Sequence, residues 1–227
     1  MNRLLWLACV SVAVPSLLSA QEAKKPSDTK QITNSIGMKL TLIPAGEFMM
    51  GSGESAKATA AFFDKTYGYE KAYGTNSNEG MKADLFKHEH PLHRERITKP
   101  FYLGTCHVTR GQFRQFVSDT GYKTDAETDR ERGAYDLNPD ARDRAFNATN
   151  SWRKPGFGQT DEHPVVCVSW NDAVAFCEWL SRKDGNSRGL RGSSWYDVSY
   201  SARSASRDRG PPHFRSNATG FRVARTQ

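Results

Sequence analysis

The sequence is poor in cysteine and in long apolar runs. It has 4 cysteine residues among 227, far fewer than a small scaffold held together by disulfides requires. The longest apolar stretch, Leu4 to Val14, is too short to form a stable membrane span. We therefore expect neither a disulfide-stapled miniprotein nor a membrane-spanning chain.

The first twenty residues have the pattern of a secretory signal peptide. Arg3 supplies the positive charge, the run from Leu4 to Val14 supplies the apolar segment, and Pro15 ends that run. Small residues precede an expected cut after Ala20. The pattern predicts an exported protein, periplasmic or secreted; acylation at Cys9 is an alternative, which the few apolar residues before it disfavour.

Cleavage would leave three cysteine residues, Cys106, Cys167 and Cys177. An odd number leaves at least one thiol without an internal partner, and the spacing is not that of a zinc site. Two alternatives stay open. Two of the three form a disulfide, or they are buried free thiols that act as small apolar groups.

The charge of the chain is basic, with 32 Lys and Arg against 25 Asp and Glu and a net charge of +7. Loss of Arg3 would leave +6. Because export argues against nucleic acid, we expect either a solvated basic face or attraction to anionic glycans and envelope surfaces.

Hydrophobic patterns divide the chain into short elements and long polar segments. Residues 21–32 are expected to be a flexible leader. Alternation in two runs around a Pro-Ala-Gly turn predicts a β-hairpin over 38–50. Residues 51–90 and 122–160 have the composition of loops. A short β-rich stretch occurs at 100–104, residues 165–168 are a candidate for a short buried strand, and the mixture predicts an irregular α+β domain.

Two helices have clear start signals. Thr109 and Gln112 form a capping-box pattern, and Gly121 stands where the helix would stop, which predicts a helix over 110–119. A second helix is predicted to start at Ser169-Trp170-Asn171-Asp172. The apolar face expected for it comprises Ala173, Phe176, Cys177 and Leu180.

Three blocks of sequence follow one another in a recognisable order. The first, Asn34 to Ser52, contains Pro-Ala-Gly-Glu-Phe; the second, His90 to Leu180, contains Val-Thr-Arg-Gly-Gln-Phe and Val-Ser-Trp-Asn-Asp-Ala. The third, Arg191 to Arg222, contains Arg-Gly-Ser-Ser-Trp and ends on Gly-Phe-Arg. Together they resemble the formylglycine-generating enzyme (sulfatase-modifying factor) family.

The resemblance implies one domain over 33–227, with a fold related to C-type lectins and little regular secondary structure. Members of that family oxidise a cysteine of sulfatases to formylglycine, using oxygen and a copper ion held by two cysteines. It thus implies an oxygen-dependent oxidoreductase acting on a protein cysteine, if the chain is an enzyme.

The sequence departs from the family at two places. The block that normally holds the calcium ligands is replaced by the short segment 184–189, so no calcium site is carried over. The copper-binding cysteines would fall near Asp197 and Ser199, and no cysteine follows Cys177. Because carboxylate and hydroxyl groups are poor substitutes for thiolates on Cu(I), we expect no catalytic, cofactor or metal residue; copper is implied only for an oxidase.

Two hypotheses therefore remain. In the first, which we favour, the protein is a non-catalytic pseudoenzyme that binds a protein or glycan in the envelope or outside the cell. In the second, it is a formylglycine-generating oxidase that converts a sulfatase cysteine. A degenerate remnant that cannot close its core is a third outcome.

Other candidate residues have structural interpretations. A metal site at His88, His90 and His93 is an alternative to a structural role, and His107 is assigned no role. The C-terminal arginines are expected to tie down the loops rather than to form an acidic-ligand groove; they are Arg203, Arg207, Arg209, Arg215 and Arg222. Four tryptophans are expected in the core, namely Trp152, Trp170, Trp179 and Trp195.

Overall fold

A computed structural model describes residues 30–67, 83–137, 145–184 and 211–226. The strands in these ranges are β1 (Gln31–Thr33), β2 (Lys39–Ile43), β3 (Gly46–Met50), β4 (His93–Ile97), β5 (Phe101–Gly104), β6 (Ala134–Tyr135), β7 (Phe146–Asn147) and β8 (Ala224–Thr226). The helices are α1 (Ala56–Tyr67), a 3-10 helix (Ala83–Glu89), α2 (Arg110–Thr120), α3 (Asp125–Thr128) and α4 (Trp170–Asp184). This is the mixed helix and sheet content expected from the sequence.

The main sheet has four antiparallel strands in the order β1-β2-β5-β8. In the β2–β5 register, Leu40 lies opposite Gly104 and Leu42 lies opposite Tyr102. Leu40 and Tyr102 are buried in the core, as expected where alternate residues of a strand face one side of a sheet. The sheet joins the first and last described strands, so it ties the two ends of the fold together.

The predicted β-hairpin over 38–50 is wrong in its pairing. Its two strands and the intervening turn exist, but β2 pairs with β5, whereas β3 pairs with β4 in a separate two-stranded sheet. Alternation along a strand sets which face is apolar but not which partner the strand takes. Leu40 of β2 lies in the core, whereas Phe48 and Met49 of β3 are exposed.

The boundaries of two polar segments also need correction. Gln31 and Ile32, placed in the flexible leader, belong to β1 and pair with β2. The segment 51–90, expected to be a surface loop, contains α1 and the 3-10 helix. The rings of Phe63 and Phe86 stack across these two helices at a centroid distance of 6.0 Å. Apolar contacts of this kind stabilise short helices that sequence propensity alone would not.

The segment 122–160 is likewise more ordered than its composition indicated, since it contains α3, β6 and β7. The stretch 165–168 is fully buried but is not a strand. Val165 N–H donates to Val108 O at 2.9 Å, but Cys167 has a positive φ of 60°. A residue in the left-handed region interrupts an extended backbone. The predicted burial of 165–168 is therefore confirmed, but the predicted strand is not formed.

The two predicted helices are confirmed. Thr109 Oγ1 accepts a hydrogen bond from Gln112 N–H at 3.2 Å, and Gln112 Oε1 accepts one from Thr109 N–H at 3.0 Å. Gly121 ends α2 in the left-handed conformation, with a φ of 67°. At α4, Ser169 Oγ accepts from Asp172 N–H at 3.2 Å and Asp172 Oδ2 accepts from Ser169 N–H at 2.8 Å. Both starts thus satisfy free helix amides reciprocally.

The core forms where α2 and α4 pack against the main sheet and against residues 211–226, which we call the C-terminal segment. Phe113 of α2 stacks on Phe176 of α4 at 5.9 Å and meets Trp152 and Phe221 edge to face. The predicted apolar face of α4 is buried as expected. None of the helices in the described ranges is long and apolar enough to cross a membrane.

Candidate functional site

A cleft of about 460 Å³ opens beside the loop that follows β5. Its lining comes from three parts of the chain, namely Thr105, Cys106, His107 and Thr109, then Glu162 and Pro164, and finally Arg222. Three separated parts of the sequence therefore contribute polar side chains to one concave surface.

Backbone hydrogen bonds hold the walls of this cleft in place. Gly104 N–H donates to Val223 O at 2.8 Å, and Val108 N–H donates to Phe221 O at 2.9 Å. Arg222 Nε donates to Gly104 O at 2.8 Å, and its Nη2 also bonds that carbonyl. The C-terminal segment is thereby fastened along the loop, and the cleft is built on rigid backbone.

His107 is half-buried at the base of the cleft. Burial, and then the nearby positive charge of Arg222, lower the pKa of the His107 imidazole. The shift keeps the ring neutral at neutral pH. Gly220 allows the close packing behind it, because a Cβ there would lie 2.7 Å from Val165 O.

The cleft presents several polar groups. Cys106 is exposed, and Glu162 is an exposed carboxylate in its lining. Among the bonds of the described residues, none joins the thiol of Cys106 to the ring of His107. The cleft offers a neutral imidazole, a cation and hydroxyl groups to a polar ligand.

A second polar cluster lies where α3 meets the start of α4. The buried Asp172 carboxylate accepts from Tyr122 Oη at 3.1 Å and from Asp125 N–H at 3.0 Å. Burial raises the pKa of Asp172 and that of Tyr122. Each donor is held by the fold, so this cluster links α3 to α4 and has a structural role.

The three cysteine residues in the described ranges form no disulfide and lie in different surroundings. The disulfide alternative is therefore wrong for this structure, and the buried-thiol alternative holds for Cys167 and Cys177 but not for the exposed Cys106. Cys106 lies in the loop after β5 rather than in a strand. Burial, and then the charge of Asp136, raise the pKa of Cys167 to about 12.

Several predicted positions fall outside the described residues. They are the expected copper positions Asp197 and Ser199, together with Trp195, Arg203, Arg207 and Arg209. Trp152 and Trp179 are buried as predicted, but Trp170 is 48% exposed at the first residue of α4. Periodicity did not identify its exposed position, because helix-start residues lie outside the repeating face.

His93 and the C-terminal arginines Arg215 and Arg222 have structural partners. His93 Nδ1 lies 2.7 Å from Pro91 O and its Nε2 lies 3.1 Å from Glu95 Oε1, which favours the structural role. Within the described ranges, no group of three or more His, Cys, Asp or Glu residues is placed to hold a metal ion. Arg215 Nε donates to Gly133 O and Arg222 Nε donates to Gly104 O, so each binds a backbone carbonyl of a distant loop, as expected of a loop-tying arginine.

Sequence reasoning did not identify the cleft. His107 was assigned no role, and Glu162 and Arg222 are sixty residues apart. No sequence spacing relates them, because their proximity depends on the C-terminal segment returning to β5. The one available signal was the odd number of cysteine residues, which indicated an unpaired thiol. The structure shows that Cys106 is the exposed one.

Comparison with known proteins agrees with the motifs and the fold. The family model described as a sulfatase-modifying factor enzyme 1-like domain matches residues 25–188. The chain belongs to the formylglycine-generating enzyme family. It is 31% identical over 195 residues to the formylglycine-generating enzyme of Streptomyces coelicolor, covering 77% of this chain and 51% of that protein.

Two bovine relatives extend the comparison. The chain is 28% identical to the formylglycine-generating enzyme of Bos taurus, covering 72% of this chain and 41% of the relative. It is 32% identical to the inactive C-alpha-formylglycine-generating enzyme 2 of Bos taurus, covering 48% of this chain and 40% of the relative. The chain thus spans about half the length of these relatives, or less.

A solved structure supports the family fold. The chain resembles PvdO from Pseudomonas aeruginosa with a TM-score of 0.59 and 18% identity, covering 90% of this chain and 100% of that one. At this identity the likeness establishes the fold alone.

Proposed function

We propose that this protein is an exported, non-catalytic member of the formylglycine-generating enzyme family that binds a protein or glycan partner. The observation that carries the proposal is the lack of a cysteine pair for copper. No cysteine follows Cys177, and Asp197 and Ser199 stand where the pair is expected. Of the remaining thiols, Cys167 and Cys177 are buried and Cys106 alone is exposed among the described residues, so they form no exposed pair.

Two further observations support this proposal. Relatives at 32% and 34% identity, from Bos taurus and Mus musculus, are named inactive C-alpha-formylglycine-generating enzyme 2, so loss of activity on this scaffold has parallels. The cleft beside Cys106 and His107 is a concave surface with a few polar groups, an arrangement that favours ligand binding. A fold related to C-type lectins, which are built around variable loops, is part of the same proposal.

One observation favours the alternative, a formylglycine-generating oxidase that requires copper. The match of longest coverage among the relatives described above is to a protein named formylglycine-generating enzyme. Overall sequence similarity is weaker evidence for oxidase activity than the presence of the copper ligands, because the thiolate pair is what selects Cu(I).

The deciding experiment is peptide conversion by the purified chain from Gln21 onward. The chain is incubated with Cu(I), oxygen, a thiol reductant and a peptide carrying a sulfatase cysteine motif, and the peptide mass is followed. We expect no formylglycine and no copper-dependent rise in melting temperature. The Streptomyces coelicolor enzyme serves as the positive control.

A gain-of-ligand variant sharpens this test. Asp197→Cys combined with Ser199→Cys restores two thiols near the expected copper positions, and we expect it to bind Cu(I) where the parent chain does not. Conversion by the parent chain would overturn the proposal in favour of the oxidase. Absence of a cooperative melt would instead indicate a remnant that cannot close its core.

A further inference from the structure

An exposed aromatic cluster lies on the surface formed by β6, β7 and the C-terminal segment. It consists of Tyr135, Phe146 and Phe214. The Tyr135 ring meets Phe146 at 5.4 Å and 86°, and meets Phe214 at 6.0 Å and 43°. Phe146 and Phe214 are each 37% exposed, so part of each side chain remains accessible to solvent.

The backbone beneath the aromatic cluster is fixed by tertiary hydrogen bonds. Tyr135 lies opposite Phe146 in the β6–β7 register. Tyr135 N–H donates to Arg215 O at 2.9 Å, and Asn217 N–H donates to Tyr135 O at 3.1 Å. Because these bonds fix the backbone that carries the rings, binding would require little ordering of the backbone.

Two guanidinium groups lie near the Phe146 ring. The Cζ atoms of Arg132 and Arg215 are 5.9 Å and 5.6 Å from the Phe146 centroid. Arg215 is buried and anchored, since its Nε donates to Gly133 O at 2.7 Å and its Nη2 donates to Asp129 Oδ2 at 2.8 Å. The Arg132 residue is exposed, so its positive charge faces solvent beside the rings.

The nearby carboxylates are already engaged within the fold. Asp129 pairs with Arg215, and this hydrogen bond holds the pKa of Asp129 below its usual range. Asp136 accepts from Asn150 Nδ2 at 3.0 Å and from Asn217 Nδ2 at 2.7 Å. Arg130 and Glu131 are exposed next to Arg132, so the segment 130–132 carries one net positive charge in a chain of net charge +7.

We propose that this aromatic cluster, with Arg132, is a binding surface for an acidic polysaccharide. The apolar faces of sugar rings would stack on Phe146 and Phe214, and carboxylate groups of the polymer would pair with Arg132. The charge of the surface and of the chain complements such a polymer. A protein partner would typically bury roughly 800 Å² on each side, far more than two partly exposed rings supply.

This inference rests on the proposed binding function and names the class of its partner. Affinity electrophoresis of the chain from Gln21 tests it, in native gels containing polygalacturonate, neutral dextran or polyglutamate. We expect strong retardation by polygalacturonate alone, and weaker retardation as salt is added, because salt screens the Arg132 contact.

Matched variants locate the surface. Phe146→Ala, Phe214→Ala and Arg132→Gln are each expected to weaken polygalacturonate binding roughly tenfold, the effect of losing one stacked ring or one charged contact. Phe48→Ala and Arg96→Gln make the same changes at exposed positions of the β3–β4 sheet and are expected to leave binding within about twofold. Arg132→Gln changes only an exposed side chain, so it reports on binding even where a ring variant melts early.

Three outcomes would overturn this inference. Equal retardation by polyglutamate would identify an acidic peptide as the partner class, and equal retardation by dextran would remove the role of Arg132. If the control variants weakened polygalacturonate binding as much as the variants of the aromatic cluster, the binding would not be located at this surface and would reflect the overall basic charge of the chain. Each leaves the non-catalytic proposal standing, since that proposal is overturned by conversion of the sulfatase peptide or by the absence of a cooperative melt in the parent chain.

Discussion

At the scale of single residues, the three cysteines have different reactivities. Cys106 is exposed beside the cleft, whereas Cys167 and Cys177 are buried. Only a thiolate is a good nucleophile, and burial raises the pKa of Cys167 to about 12. The sequence predicted an unpaired thiol but not which cysteine would carry it.

We expect one thiol of the folded mature chain to react rapidly with an aromatic disulfide reagent. That thiol is Cys106, and Cys106→Ser is expected to remove the fast phase while leaving the two slow thiols. The measurement is absorbance of the released thiolate, with and without denaturant. Rapid modification of two or more thiols in the native chain would contradict the assigned burial.

At the scale of elements, helix starts are the best-determined features of this fold. Thr109 with Gln112 and Thr124 with Glu127 both form complete capping boxes. The first was identified from sequence because an apolar helical repeat follows it. The second, at α3, was missed because only four residues are helical, too few to show a period.

Removal of the cap at α2 gives a quantitative test. Thr109→Ala is expected to lower the free energy of unfolding by about 1 kcal/mol, because the N–H of Gln112 loses its acceptor. Chemical denaturation measures this change. The control is Gln115→Ala at an exposed position of the same helix, which is expected to change stability by less than about 0.5 kcal/mol.

At the scale of the whole molecule, one aromatic core joins segments that are far apart in sequence. Phe113, Phe176 and Phe221 lie in mutual ring contact, although they come from α2, α4 and the C-terminal segment. All three are fully buried. Stability of the fold therefore depends on the C-terminal segment closing over the two helices.

Truncation of these rings tests that closure. Phe113→Ala and Phe221→Ala are each expected to destabilise the fold by about 3–5 kcal/mol, since each leaves a cavity in the core. The double variant is expected to cost less than the two single costs combined, because the rings touch and share one cavity. Calorimetric melts of the four chains measure this coupling, and strict additivity would show that the two rings act independently.

The sequence by itself determined the family, the apolar face of α4, the ends of α2 and the existence of β2 and β3. These features depend on residues near one another in the chain, such as the pair Thr109 and Gln112, whose hydrogen bonds form within one helical turn. Such features are therefore visible as local patterns in the sequence.

Only the tertiary structure decided which strands pair and which polar groups meet. The pairing of β2 with β5 rather than β3 follows from burying Leu40 against the main core. Cys106, His107 and Arg222 share one cleft because the chain returns to β5 at its C-terminal end. Neither arrangement leaves a local pattern, since the free energy that fixes it comes from burial and hydrogen bonds between distant segments.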